Sequence, residues 1–412
     1  MIVSRKWVSL ALIMGFASTA DAQTPSAPAS SVTPAAPQAN APAPPTTCMG
    51  RGFFLPAPAA FKAVEQLPDR RITFRVCAPD ATAVSVTSSD IADVIPMGVG
   101  GGPAGLPMTK DDKGVWSVTT AVPVAPDTYR FNFSVNGVPL PNPQGTTFSE
   151  ARVGTNGTFE VIGPGGEFQT YDKEVPHGSV AVFEYWSKSL GVKRRAHVYT
   201  PPGYARGGGK YPVLYLVHGA GDSDDSWTSV GHAHYILDNL IAAGKAKPMI
   251  VVMPFGHTPD RPGANLLTNP DFSDDFLKDL IPYVEANYRT INKPQARAMA
   301  GLSMGGAHTL NNGLTHPELF DYVGIFSMGL MNPQQVADYE AKNGAALDKA
   351  GKSMKLVYYA IGKTDFLYAS VAPTRDMFSQ HGIHEVYHES DGGHTWINWR
   401  RYFNDFAPRL FK

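Results

Sequence analysis

The sequence predicts an α/β protein, a mostly parallel sheet covered by helices on both faces, preceded by a small all-β sandwich. Three observations carry this. From about residue 175 onward, short and nearly all-apolar runs alternate with amphipathic ones. That is the pattern of strands buried on both faces and of the helices that cover them. Residues 70 to 162 instead alternate apolar and polar at a period of two, with Gly, Pro, Asp and Asn clustered between the runs, as strands of a sandwich do. The Gly/Pro-rich "IGPGGEF", residues 162 to 168, separates the two patterns.

The N-terminus reads as an export signal. Arg5 and Lys6 precede the apolar "WVSLALIMGFA", and "ADA" ending at Ala22 fits small-residue cleavage. The apolar run is shorter than the roughly 20 residues that span a bilayer. The expectation is therefore a secreted or periplasmic protein with no membrane partner after cleavage. Residues 23–66 are a Pro/Ala-rich tether and lead-in; residues 24 to 47 within it are almost all Pro, Ala, Ser and Thr, a composition that cannot build a core. Residues 67–163 form the sandwich, 164–177 a linker, and 178–412 the α/β part. Cys48 and Cys77 are the two cysteines. Export permits a disulfide between them. It would close a loop of about 30 residues, worth roughly 3–4 kcal/mol in the chain-entropy model.

Within the sandwich, "RITFRVCAP", "AVSVTS", "GVWSVTTAV" and "TYRFNFSVNG" are the strands, "VNGV" is a type I′ hairpin turn, and "GVGGGPAG" is a loop. In the α/β part, "RRAHVYTP", "KYPVLYLVHG", "PMIVVMP", "ARAMAG", "YVGIFSMG" and "KLVYYAIG" are strands. "HYILDNLIAAGK" has helical spacing and a stop at Gly244. "DFSDDFLKDLIPYVEANY" is an amphipathic helix with acids in its first turns, where the helix dipole favours them.

The net charge of −1 comes from 35 basic and 36 acidic side chains, with no basic stripe. This excludes phosphate-driven nucleic-acid binding. No metal-ligand spacing and no phosphate-cradling glycine loop occurs, so no cofactor is expected.

The chemistry concentrates in "AGLSMGGAHTL", residues 300–310. Gly301-Leu302-Ser303-Met304-Gly305 is a G-x-S-x-G pentapeptide between a strand and a helix, the context that gives the motif meaning. A serine there is exposed on a sharp turn at a helix N-terminus, where peptide N–H groups can hold an oxyanion. A serine hydroxyl needs a base, and acid then base follow the serine in this architecture. His394, in the glycine-rich "SDGGHTWINWR", is the base; His381, His384 and His388 lie in or beside a strand, and His316 reads as a helix cap. Asp365, just past "KLVYYAIG", is the orienting acid, with Asp391 the alternative and Asp376 inside a helical stretch. The strand ending at His218-Gly219 supplies the second oxyanion donor, the N–H of Ala220 or Gly221, beside the N–H of Met304. Asp225, Trp227, Phe366 and Trp396 are candidates for lining the cleft, and Trp399 for packing the last helix.

"LVHGAGDSDDSW", "AGLSMGG", "IGKTD" and "GGHTWINWR", in this order, resemble the signature blocks of the esterase D-like esterases, and most closely carbohydrate esterase family 1 with its feruloyl and acetylxylan esterases. The resemblance covers about residues 178 to 410. It implies an α/β-hydrolase fold and ester hydrolysis through a Ser303–His394–Asp365 triad. "ITFRVCAPDATAVSV" through "TYRFNFSVNGV" resembles an early-set immunoglobulin-like domain of the kind called carbohydrate-binding module family 48. Together these imply a small-molecule or polysaccharide-linked ester as substrate, with feruloyl esters of plant cell wall preferred. Acetylxylan or other short-acyl esters and a siderophore trilactone are the alternatives. A non-catalytic binding protein on the same scaffold would be expected to have lost part of the triad.

Overall fold

The computed structural model describes Cys48 and residues 61–91, 93–97, 104–259 and 269–412. The segment read as an export signal, most of the one read as a tether and the centre of the glycine-rich loop lie outside the described residues. The described residues belong to one compact unit.

The sandwich strands are β1 (Val64–Gln66), β2 (Ile72–Cys77), β3 (Val84–Thr87), β4 (Leu106–Pro107), β5 (Thr109–Lys110), β6 (Val115–Thr119), β7 (Asp127–Val135), β8 (Val138–Leu140), β9 (Phe148–Glu150) and β10 (Thr155–Val161). They form two antiparallel sheets, β1-β2-β6-β5 and β4-β3-β7-β10-β9, with β8 paired to β7. Along β7 the period of two is plain: Tyr129, Phe131 and Phe133 are buried in the sandwich core with Phe74 and Phe159, while Thr128, Arg130 and Asn132 occupy the opposite face. The β7–β8 turn has Asn136 at φ 49° and Gly137 at φ 85°, both positive as a type I′ turn requires. Cys48 and Cys77 are bridged, with Cα atoms 5.7 Å apart. The sandwich takes in more chain than its sequence periodicity marked, because Val64–Gln66, expected as lead-in, pairs with Ile72–Phe74.

The second part is an eight-stranded sheet. Its strands are β11 (Ser179–Ser187), β12 (Val192–Thr200), β13 (Val213–Val217), β14 (Ile250–Pro254), β15 (Arg297–Leu302), β16 (Tyr322–Phe326), β17 (Leu356–Gly362) and β18 (Glu385–Ser390), in the order β11-β12-β14-β13-β15-β16-β17-β18. The first three in that order pair antiparallel and the rest parallel. Helices α1 (Ser226–Ser229), α2 (Ala233–Ala242), α3 (Asp271–Asp275), α4 (Ile281–Asn287), α5 (Met304–His308), α6 (Pro333–Ser353) and α7 (Val371–Gln380) lie between the strands, and α8 (Trp396–Phe406) follows the last one. The alternation of strand and helix thus produces the α/β-hydrolase arrangement expected, and the C-terminal ends of β13, β15, β16 and β17 share one edge.

The two parts are docked to each other. Arg400 of α8 is fully buried. It pairs with Asp127 and donates to the carbonyls of Thr128, at 3.0 Å, and Val230. A buried cation of this kind requires such partners. The segment expected as linker is also packed: Gln169 Nε2 donates to Asp127 Oδ1 at 2.7 Å, and Asn239 Nδ2 donates to the carbonyls of Phe168 and Thr170, each at 3.1 Å.

Candidate active site

Ser303 follows β15 and caps α5 with φ 51° and ψ −115°. A serine at such angles costs on the order of 1–3 kcal/mol and persists only where its surroundings fix it. Here its N–H donates to Phe326 O at 2.9 Å, and its carbonyl accepts from Ala307 N–H at 3.0 Å. The glycines on either side are sterically required. A Cβ on Gly301 would lie 2.4 Å from the Gly305 backbone, and one on Gly305 would lie 2.2 Å from Val217 O. The turn brings strand, helix and the end of β13 into contact at the serine. The first N–H groups of α5, Met304 among them, lack intrahelical acceptors.

Asp365 lies three residues beyond β17 and is buried. Its Oδ1 and Oδ2 stand 3.0 and 2.9 Å from His394 Nδ1, and Oδ1 also accepts from Leu367 N–H at 2.9 Å. Burial by itself would raise the carboxyl pKa. The hydrogen bond and charge of His394, with the Leu367 N–H and the Ser327 hydroxyl, outweigh it and hold Asp365 below the ordinary carboxylate range. The imidazole is thereby fixed with a proton on Nδ1, leaving Nε2 for a reacting group. Trp399 stands edge-on to the His394 ring, centroids 5.0 Å apart, and its Nε1 donates to Ser327 Oγ at 2.9 Å. Asp391 carries a 97% exposed side chain and pairs with Lys363 at 3.2 Å. His381 is held by Asp348 and Glu340, away from this cluster.

The β13 end reaches the same place. A Cβ built on Gly219 would lie 3.6 Å from Ser303 Cβ. Asp222 N–H donates to Gly219 O at 3.2 Å, closing a turn whose central residues, Ala220 and Gly221, are exposed. His218 fixes the base of this turn: Nε2 accepts Gly256 N–H at 2.8 Å, so Nδ1 carries the proton and donates to Gly219 O at 2.8 Å.

Of the four candidates for lining the cleft, Phe366 is the one with an open ring beside His394. It is 71% exposed, with its ring centroid 4.4 Å from that of His394. Trp227 and Trp396 do not line a cleft. They are 1% and 0% exposed and pack edge-to-face in the core, with centroids 5.1 Å apart. The burial of so much ring surface outweighs any exposed role. Asp225 turns to the sandwich, where Oδ2 accepts Glu150 N–H at 2.9 Å. Sequence reading missed Ser327, which has φ 49° directly after β16, and the sandwich residues Arg130 and Arg152 that contact the β13 turn. A serine closing the strand beside the one that leads into Ser303 was the available signal for the first. The other contacts span too much sequence to leave one.

Residues 187–410, more than half the chain, match the family described as "Putative esterase", and the chain belongs to that esterase family. Among curated proteins it is 33% identical over 350 residues to an endo-1,4-beta-xylanase/feruloyl esterase of Xylanibacter ruminicola, covering 82% of this chain and 44% of that protein. It is 30% identical over 224 residues to endo-1,4-beta-xylanase Y of Acetivibrio thermocellus, covering 50% of this chain and 19% of that one. The chain therefore spans less than half the length of these relatives. Among solved structures, the enterobactin esterase of Shigella flexneri aligns with a TM-score of 0.56 at 17% identity, over 84% of this chain and 95% of that one. A ferulic acid esterase of Anaeromyces mucronatus aligns with a TM-score of 0.51 at 23% identity, over 60% and 95%. Both share the fold.

Proposed function

We propose that this esterase is a serine carboxylic-ester hydrolase acting through an acyl-enzyme on feruloyl-type esters of plant cell-wall polysaccharide. The observation that carries the mechanism is the buried Asp365–His394 pair at the sheet edge where Ser303 is held at φ 51°. Ser303 Oγ attacks the ester carbonyl and its proton passes to His394 Nε2. The oxyanion is met by the N–H of Met304 and by that of Ala220 or Gly221. Collapse expels the alcohol with the proton from His394. Water, deprotonated by the same nitrogen, then releases the acid and frees Ser303. Asp365 keeps the imidazole in the working tautomer and stabilises it when charged. Ser303→Ala is expected to lower kcat on p-nitrophenyl butyrate by several orders of magnitude, on the order of 10⁶ by precedent. Turnover like wild type in a folded variant would sink the assignment.

The acyl preference is supported by Phe366, an open aromatic face beside the base on which a hydroxycinnamoyl ring can stack. It is supported too by the feruloyl esterase activity for which the Xylanibacter relative is named. Apolar pockets separate neighbouring acyl groups by only about 1–3 kcal/mol, so the decisive comparison is kcat/KM on methyl ferulate, acetylated xylan and a siderophore trilactone side by side. Methyl ferulate is expected to lead. Preference for either of the others would replace the substrate and leave the triad standing.

A further inference from the structure

The Gly219–Asp222 turn belongs to the hydrolase part, yet the sandwich holds it. Asp222 is buried, at 5% exposure, and its two carboxylate oxygens have different partners. Oδ2 accepts the N–H of Gly219 at 3.2 Å, inside the turn. Oδ1 accepts Nη1 of Arg130 at 2.6 Å. Arg130 stands on the outer face of β7. Its Nε and Nη2 fork onto the Asp90 carboxylate at 3.2 and 2.9 Å, and its guanidinium carbon lies 5.8 Å from the Trp396 ring centroid. The tip of the turn is held from the same side, since Arg152 N–H, in the β9–β10 connection, donates to Gly221 O at 3.1 Å. A continuous path of charged hydrogen bonds thus runs Asp90–Arg130–Asp222–Gly219 N–H. It ends one residue from Ala220 and at the residue whose built Cβ lies 3.6 Å from Ser303 Cβ.

Apolar side chains would join the two parts at least as well, because a buried ion pair offers little net stability over well-packed hydrocarbon. Apolar packing could not fix direction. The planar guanidinium fork imposes angles on both carboxylates, and Asp222 transmits that orientation to the turn. Taking this turn as the source of the second oxyanion donor, as in the reading above, we propose that Arg130 is a positioning residue for ester hydrolysis. It sets Asp222, and through Asp222 the Ala220 and Gly221 peptides, where the oxyanion needs them. The sandwich then completes the active site, and no spacer role accounts for it.

The test uses the full chain with Arg130→Lys, Arg130→Met and Asp222→Asn. Reactive serines are counted by running a fluorophosphonate label to completion, and kcat and KM are measured on p-nitrophenyl butyrate. Asn at 222 keeps the volume and one acceptor but can serve Gly219 or Arg130, not both. Asp222→Asn is therefore the readable variant if removing the guanidinium prevents folding. A displaced donor costs less than a deleted one, which is worth roughly 10²–10³ in kcat. The expected result is a fall of about 10–100-fold in kcat per labelled serine with KM within about threefold, the signature of an interaction made in the transition state. Arg130→Lys should fall between wild type and Arg130→Met. A merely structural role would lower the labelled fraction or the melting temperature while kcat per labelled serine stays at the wild-type value, and that outcome overturns the proposal. Ser303→Ala, measured alongside, tells the two failures apart. If it is inactive while the Arg130 and Asp222 variants keep wild-type kcat, only the positioning role is lost. If it still turns over, the triad reading falls and this inference falls with it.

Discussion

Asp365 and Asp391 both stood as candidate partners for His394, and burial separates them. Asp391 is open to water and neutralised by Lys363, so any contact with the imidazole would be screened and loosely oriented. Asp365 is buried, with both oxygens at His394 Nδ1. Asp365→Asn is therefore expected to keep the fold but disfavour the Nδ1–H tautomer, lowering kcat by about 10⁴, the loss seen when a triad aspartate is so replaced. Asp391→Asn should leave kcat within about twofold, as surface substitutions usually do. Should the Asp391 variant prove the crippled one, the acid has been misassigned. The positions of Ser303, Asp365 and His394 in the fold were legible because each sits at a fixed offset from a strand end. Trp227 and Trp396 were not, because sequence proximity to a motif says nothing of which way a ring points. Trp227 meets Phe326 and Phe403 as well as Trp396, partners that lie far along the chain.

At the scale of elements, the crossing of β13, β15 and α5 depends on the absence of side chains. Gly305→Ala would place a methyl 2.2 Å from Val217 O, a backbone atom at the end of a central strand with no flexible end to yield. A loss of about 3 kcal/mol is expected, the upper part of the range for overpacking. Urea unfolding of the variant measures it, and wild-type stability would mean that the close crossing is dispensable. The parallel strands from β13 to β17 were readable because both faces are buried and their residues are almost all apolar. β11 was not. It lies at the sheet edge with six of nine residues exposed, so neither continuous apolarity nor clean alternation marks it. β1 and β9, at three residues each, are too short to carry a period and exist through their partners. The same limit hid the docking of the sandwich: Arg130 and Asp222 lie 92 positions apart, and Arg400 and Thr128 lie 272 apart.

Across the whole molecule, the groups that support the site also set how it responds to acid. His257 donates from Nε2 to Asp222 O at 3.1 Å, and His308 from Nε2 to Gly256 O at 3.0 Å while its ring stacks on Phe272. Both are buried. Burial is the main reason that the His308 pKa is pushed down to about 3 and that of His257 to about 4. In the unfolded chain each would take up its proton near pH 6.5. Between about pH 6.5 and 4 the unfolded state therefore binds more protons than the native one, and stability falls as the pH falls. A second loss follows below about pH 4. Burial would raise Asp224, but its hydrogen bonds to His197 and Arg195 prevail and hold it at about 2. This carboxylate stabilises the fold above its unfolded pKa and ceases to do so as the pH drops through its folded one. Each depressed histidine contributes a slope of about 1.4 kcal/mol per pH unit inside its window. His308→Gln retains a donor for Gly256 O and removes the titration. It is expected to reduce the slope of unfolding free energy against pH by about that amount between pH 6 and 4.5, in urea titrations across the range. An unchanged slope would mean that His308 is already protonated in the native state, and that Gly256, which packs against Met304, is held by some other means.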